Sequence, residues 1–294
     1  MRASGRIGRA SLWLGAVGLL GAEPAAAQRL LDEWKVRPTA GAEALSRGST
    51  AVFWNPAQIT VARRGEASVM DLRAPGVTGV DGLAAAFALA LDERTVLGIG
   101  YEYISVGGVE QTTTSPDGGA PIDLAENRLG LAASHRMGER LQVGALVQYT
   151  RLPEISPEAS VIALGAGLSY RIGTRFPVEV AAMGGTEGES AYWLAGVELA
   201  SGERWTEWQL RGEYGAAGSR IAPGTTHRAA AAMEWRRHVE LMLGAASEPD
   251  GTSRSLEPLI GAEVRLQRYR LGMVREQLPN DFGGAWSFRF SIEF

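Results

Sequence analysis

From Gly65 onward, apolar side chains recur at every second position over stretches of about ten residues, and no long stretch carries them at helical spacing. The closing stretch shows the rule. Trp286, Phe288, Phe290, Ile292 and Phe294 share one face of an extended strand, while Ser287, Arg289, Ser291 and Glu293 share the other. Leu129, Leu131 and Ala133 likewise oppose Arg128, Gly130 and Ser134; Ile260, Ala262, Val264 and Leu266 oppose Gly261, Glu263 and Arg265. Marked along the chain, the alternation predicts about fourteen strands. They lie near 65–75, 80–91, 95–107, 125–136, 141–152, 160–171, 177–185, 190–200, 205–216, 225–236, 239–247, 256–266, 268–278 and 284–294.

The connections alternate in length. Asp92–Arg94, Met137–Arg140, Ser201–Arg204, Arg237–His238 and Gln267 are tight, whereas Gly107–Leu124, Pro153–Ala159, Ala217–Thr225, Glu248–Ser255 and Leu278–Gly283 read as longer polar links. In an antiparallel meander this places tight turns at one rim and loops at the other. A soluble β-sandwich also alternates. Long strands, the two-beat rhythm of turns and an aromatic last strand favour instead a 14-stranded antiparallel transmembrane β-barrel, all-β, with lipid outside and a polar lumen.

The start of the chain is an address. Arg2, Arg6 and Arg9 precede an apolar run from Leu12 to Leu20, and Ala25–Ala27 supply the small residues of a cleavage site, so residues 1–27 read as a signal peptide. The run is shorter than the ~20 residues a spanning helix needs. Cleavage removes three arginines and Glu23, shifting the net charge from −4 to −6. That charge argues against a nucleic-acid partner. With no cysteine, disulfides, thiolate metal sites and thiol catalysis are excluded.

Residues 28–64 do not alternate as the strands do. They contain a glycine- and alanine-rich stretch leading to Asn55-Pro56-Ala57. This stretch, placed between an export signal and the strands, resembles the N-terminal region of the FadL superfamily of outer-membrane barrels, and within it the PorV/PorQ proteins of type IX secretion. Gly41, Ala51, Asn55, Pro56 and Ala57 match that pattern; Arg47 and Ser49-Thr50 depart from it. The resemblance implies that 28–64 form a plug or hatch inside a barrel spanning 65–294. Likewise Trp286, Phe288, Phe290, Ile292 and Phe294 resemble the C-terminal signal read by the barrel-assembly machinery, a strand whose unpaired amides and apolar face can pair with that machinery.

No catalytic, cofactor or metal constellation emerges. His135, His227 and His238 lack ligand spacing, and there is no G-x-S-x-G elbow. Gly98-Ile99-Gly100 and Gly165-Ala166-Gly167 lie mid-strand with no helix following, so they read as room on the inner face rather than phosphate loops. The charges expected to face the lumen are Glu102, Arg128, Arg171, Glu207, Arg211, Glu213, Glu234, Glu263, Arg265, Arg270 and Arg289, together with Glu198 and Glu293. Their mixed signs favour cross-strand ion pairs over a selective pore. Tyr101, Tyr103, Tyr149, Trp193, Trp205, Trp208, Tyr214, Trp235, Tyr269 and Trp286, largely near strand ends, read as an interfacial girdle rather than a sugar-stacking platform.

The family resemblance implies two roles. One is a non-enzymatic docking component for protein secretion, holding the C-terminal domain of exported cargo. The other is transport of a hydrophobic small molecule through a lateral opening above a greasy pocket. The longest expected loop, Gly108 to Asp123, carries no aromatic residue. On that ground the sequence favours docking.

Overall fold

The computed structural model describes residues 43–75, 79–109, 122–151, 160–173, 177–187, 190–200, 206–218, 224–236, 238–250, 253–277 and 284–294. The expected signal peptide, the expected plug segment up to residue 42 with Gly41, and much of the loop after β3 lie outside these residues. The strands are β1 (Gly65–Pro75), β2 (Gly79–Ala90), β3 (Thr95–Val109), β4 (Ile122–Met137), β5 (Leu141–Arg151), β6 (Ser160–Ile172) and β7 (Val178–Glu187). They continue as β8 (Ser190–Ala200), β9 (Thr206–Gly218), β10 (Gly224–Trp235), β11 (Val239–Asp250), β12 (Ser253–Leu266), β13 (Tyr269–Gln277) and β14 (Gly284–Glu293). Each is antiparallel to its chain neighbours, and β14 returns to pair with β1 from Glu66↔Glu293 to Arg73↔Trp286, closing the sheet.

Strand alternation sets two faces. In β2, Leu83, Phe87 and Leu89 are exposed while Ala84, Ala86 and Ala88 are buried. Every strand contributes at least one large exposed apolar residue, from Val69 on β1 to Phe288 and Phe290 on β14. An apolar surface that encircles the molecule far exceeds the patches water-soluble monomers expose. Aromatics ring it at two levels: Tyr101, Tyr103, Tyr149 and Trp193 on one side, Phe87, Tyr170, Trp235 and Phe294 on the other.

The seam between β1 and β14 is held at its end by residue 294. Gly65 and Phe294 exchange two backbone hydrogen bonds of 3.1 Å each. The Phe294 ring stacks on Phe87 at 5.7 Å and occupies the space a Cβ on Gly65 would need, 2.5 Å away. Phe290 stacks on Tyr269 and Trp286 on Phe288.

Two expectations need correction. Glu248–Ser255 is not a loop: the β11–β12 ladder continues through Glu248↔Ser255, Pro249↔Arg254 and Asp250↔Ser253, leaving only 251–252 between strands. Polar side chains beyond an apolar band do not interrupt backbone pairing, so composition marked the band's edge rather than the strand's end. Nor is the inner face polar throughout, because β1 to β4 turn apolar residues inward toward one end.

Candidate functional site

Inside the sheet lies the segment 43–59, three short 3-10 turns at Glu43–Leu45, Ser49–Phe53 and Pro56–Gln58. Its third turn shows why Asn-Pro-Ala stands there. Asn55 is extended, its side-chain oxygen accepts the Ala57 N–H at 3.0 Å, and Pro56 takes the first position, where a missing N–H costs nothing. The Asn55 side-chain amide donates to the Ala44 carbonyl at 2.8 Å, tying the third turn to the first. Asn55 is fully buried, and these bonds offset its desolvation. Gly48, with φ of 86°, takes the left-handed conformation that starts the second turn.

The wall is cut to receive this segment. A Cβ on Gly144 would stand 2.4 Å from the Pro56 carbonyl carbon, one on Gly167 would collide with the Asn55 side-chain oxygen, and one on Gly100 would meet Val52 and Phe53. Gly98, against Ile59, completes part of the expected inner-face room; Gly165 instead faces Leu146 and the Tyr192 hydroxyl. Wall side chains then satisfy the segment's carbonyls. Ser134 Oγ and Gln142 Nε2 donate to Ile59 at 2.9 and 3.2 Å, and Gln148 Nε2 donates to Phe53 at 3.2 Å.

Charge fixes the other side. Arg47 bridges Glu179 on β7 at 2.7 Å and Glu198 on β8 at 2.8 Å, and Gln58 Nε2 donates to Glu179 at 2.6 Å. Burial alone would lower the Arg47 pKa, but the two carboxylates outweigh it and hold the guanidinium above its ordinary value. Glu43 pairs with Arg228 of β10 at 2.8 Å.

Other inward charges pair both between and along strands. Arg128 meets Glu102 at 3.1 Å and Glu126 at 2.6 Å. Arg265 gathers Glu234, Glu240 and Glu263; Arg289 also reaches Glu263, Arg270 reaches Glu293, and Arg171 reaches Glu179. Glu207, Arg211 and Glu213 lie on β9 in register with Glu234, Ala230 and Arg228. Their side chains lie outside the described set. Opposite signs at these spacings make a filled, cross-linked lumen rather than a track for one ion type.

Against this charged side stands an apolar quadrant that the sequence reading missed. Met70, Leu72, Val80, Ile104, Val106 and Leu124 face inward from β1 to β4, each 3% exposed or less, and join Val52, Phe53 and Trp54 in one cluster. It lies toward the end where β3 and β4 lose register between Val106 and Val109. The available signal was β2, whose two faces are both apolar. Among the described residues no cluster of His, Asp and Glu could hold a metal, and His135 contacts Thr95 at 3.1 Å.

The strands are antiparallel in one closed sheet with an apolar outer face, an all-β barrel architecture. Solved structures agree at the level of fold. The chain is similar to the P. putida toluene transporter TodX, with TM-score 0.54 and 12% identity over 88% of this chain and 99% of that one. It is also similar to the Ralstonia pickettii toluene transporter TbuX, with TM-score 0.53 and 11% identity over 84% and 94%. No family model and no curated protein matches the sequence.

Proposed function

We propose that this chain is a non-enzymatic, fourteen-stranded outer-membrane barrel of FadL type that admits hydrophobic small molecules, with 28–64 as its plug. The apolar inner quadrant carries this reading. Met70, Leu72, Ile104 and Val106 turn away from lipid and pack against Val52, Phe53 and Trp54 of the inner segment, so a solute reaches them only when that segment shifts, and it then gains roughly 25 cal/mol for each Å2 it buries there. The sequence argument for docking looked for a greasy site in the loop after β3; the inward apolar side chains lie on the wall instead, beneath the inner segment. The toluene transporters share the fold and support the same direction. Lipid meets the outer face, and the β14 aromatics engage the assembly machinery. A PorV/PorQ-like role in holding exported cargo rests on the sequence resemblance alone.

The test is uptake of labelled toluene by cells whose outer membrane carries the chain, compared with cells lacking it and with Ile104→Glu. Faster uptake with the native chain, lost in the variant, supports the proposal. Uptake equal to that of cells lacking the chain refutes it, and co-purification of exported proteins without any solute would favour docking.

A further inference from the structure

Two turns of the tight-turn rim carry arginines on the outer side of the wall. In the β10–β11 turn the Arg236 guanidinium lies over the Trp235 ring, 5.0 Å from its centre. In the β12–β13 turn the Arg268 guanidinium lies over the Tyr269 ring at 5.1 Å and donates to the Tyr269 hydroxyl at 2.9 Å. Both rings stand on the lipid-facing side: Trp235 alternates in step with exposed Met233, and Tyr269 with exposed Leu271 while stacking on exposed Phe290. Both arginines are exposed, and among the described residues neither has a carboxylate partner. The carboxylates toward this rim, Glu234, Glu240, Glu263 and Glu293, face the lumen instead, where Arg265, Arg270 and Arg289 take them. Alternation thus separates paired arginines inside from unpaired ones outside.

The setting specifies the missing anion. Two strand spacings, about 10 Å, separate the two turns along the rim. The wall between them is apolar on its outer face, where Leu241 of β11 and Val264 and Leu266 of β12 stand exposed. Acyl chains packed on those side chains end, at their polar heads, level with Arg236 and Arg268. A guanidinium laid over an aromatic face keeps in-plane N–H donors for phosphate oxygens, and cations clustered at a membrane surface recruit anionic lipids. We infer that the outer rim between the β10–β11 and β12–β13 turns binds the phosphate of an anionic phospholipid whose acyl chains lie on β11 and β12. This rests on the membrane reading above but not on which solute the lumen carries.

Native mass spectrometry of the full chain in mild detergent, titrated with phosphatidylglycerol or phosphatidylcholine, tests it. Phosphatidylglycerol should bind in preference. Arg236→Gln with Arg268→Gln should weaken it at least about tenfold. Arg94→Gln with Arg136→Gln removes the same charge from residues that line the luminal mouth at this rim, and should leave binding within about twofold. Equal losses in both double variants, no preference between the lipids, or binding of the deacylated headgroup glycerophosphoglycerol as tight as that of the whole lipid would each overturn the inference. The folded state of every variant is verified by faster gel migration without boiling; Arg268→Gln alone, in an exposed turn, replaces the double variant if that fails to fold. Solute uptake is not part of the readout, so a failed transport assay leaves the result standing.

Discussion

The fit between the inner segment and the wall is measurable at Gly144. A methyl group there would sit 2.4 Å from the Pro56 carbonyl carbon and 2.5 Å from the Ala57 nitrogen, against the 3.4 Å at which ordinary contact begins. Both neighbours are backbone, so the third 3-10 turn must retreat by about 1 Å. That retreat lengthens the bonds from Ser134 and Gln142 to Ile59, 2.9 and 3.2 Å, beyond useful range. Two such bonds at about 1 kcal/mol each, plus residual strain, give a cost of ~2–4 kcal/mol for Gly144→Ala. Gly212→Ala is the matched control. Gly212 is also a mid-strand glycine, and a Cβ there meets nothing within 4 Å. Its replacement should be neutral or stabilise by up to about 1 kcal/mol. Urea unfolding of the detergent-folded chain, followed by loss of the fast-migrating gel form, reads both variants. If the two glycines respond within about 0.5 kcal/mol of each other, the segment is not seated against β5 as described.

Other consequences are as direct. Arg47→Ala leaves Glu179 and Glu198 without their shared cation; it should destabilise by roughly 2–4 kcal/mol and raise single-channel conductance in planar bilayers, which unchanged conductance would contradict. Phe294→Ala removes the stack on Phe87 and should cost about 1 kcal/mol or more, seen as a smaller fraction of folded barrel on unboiled gels. At the β2–β3 turn, backbone N–H groups of Arg94 and then Thr95 hold the Asp92 carboxyl below its ordinary value. A depressed folded-state pKa means its contribution is present above about pH 4 and lost as pH falls through the folded value. Stability curves of the native chain and Asp92→Ala should therefore converge on acidification, and parallel curves would refute the assignment.

Strand positions were legible because the outward face obeys a single rule. Phe288 and Phe290, or Leu129 and Leu131, announce their face at period two whatever the inner face carries. The inner face obeys several rules at once. On β2, Ala84, Ala86 and Ala88 are as apolar as Leu83 and Phe87, so alternation cannot tell which side meets lipid, and the quadrant built with Ile104 and Val106 stayed hidden. Gly98, Gly100 and Gly167 were readable as missing bulk, but not what fills the space, because the segment opposing them is remote in sequence and aperiodic. Arg47 shows the limit most plainly. In the chain it is a lone cation among small residues; its carboxylate partners lie 132 and 151 positions away.

The seam has a consequence in time. Because β1 finds its last partner only in β14, ring formation joins positions such as Glu66 and Glu293 that are separated by nearly the whole barrel sequence. Contacts between such distant positions form late and slowly. Until then β1 presents an unsatisfied row of amides, and any export route that carries this polypeptide must shield that row throughout synthesis and transit.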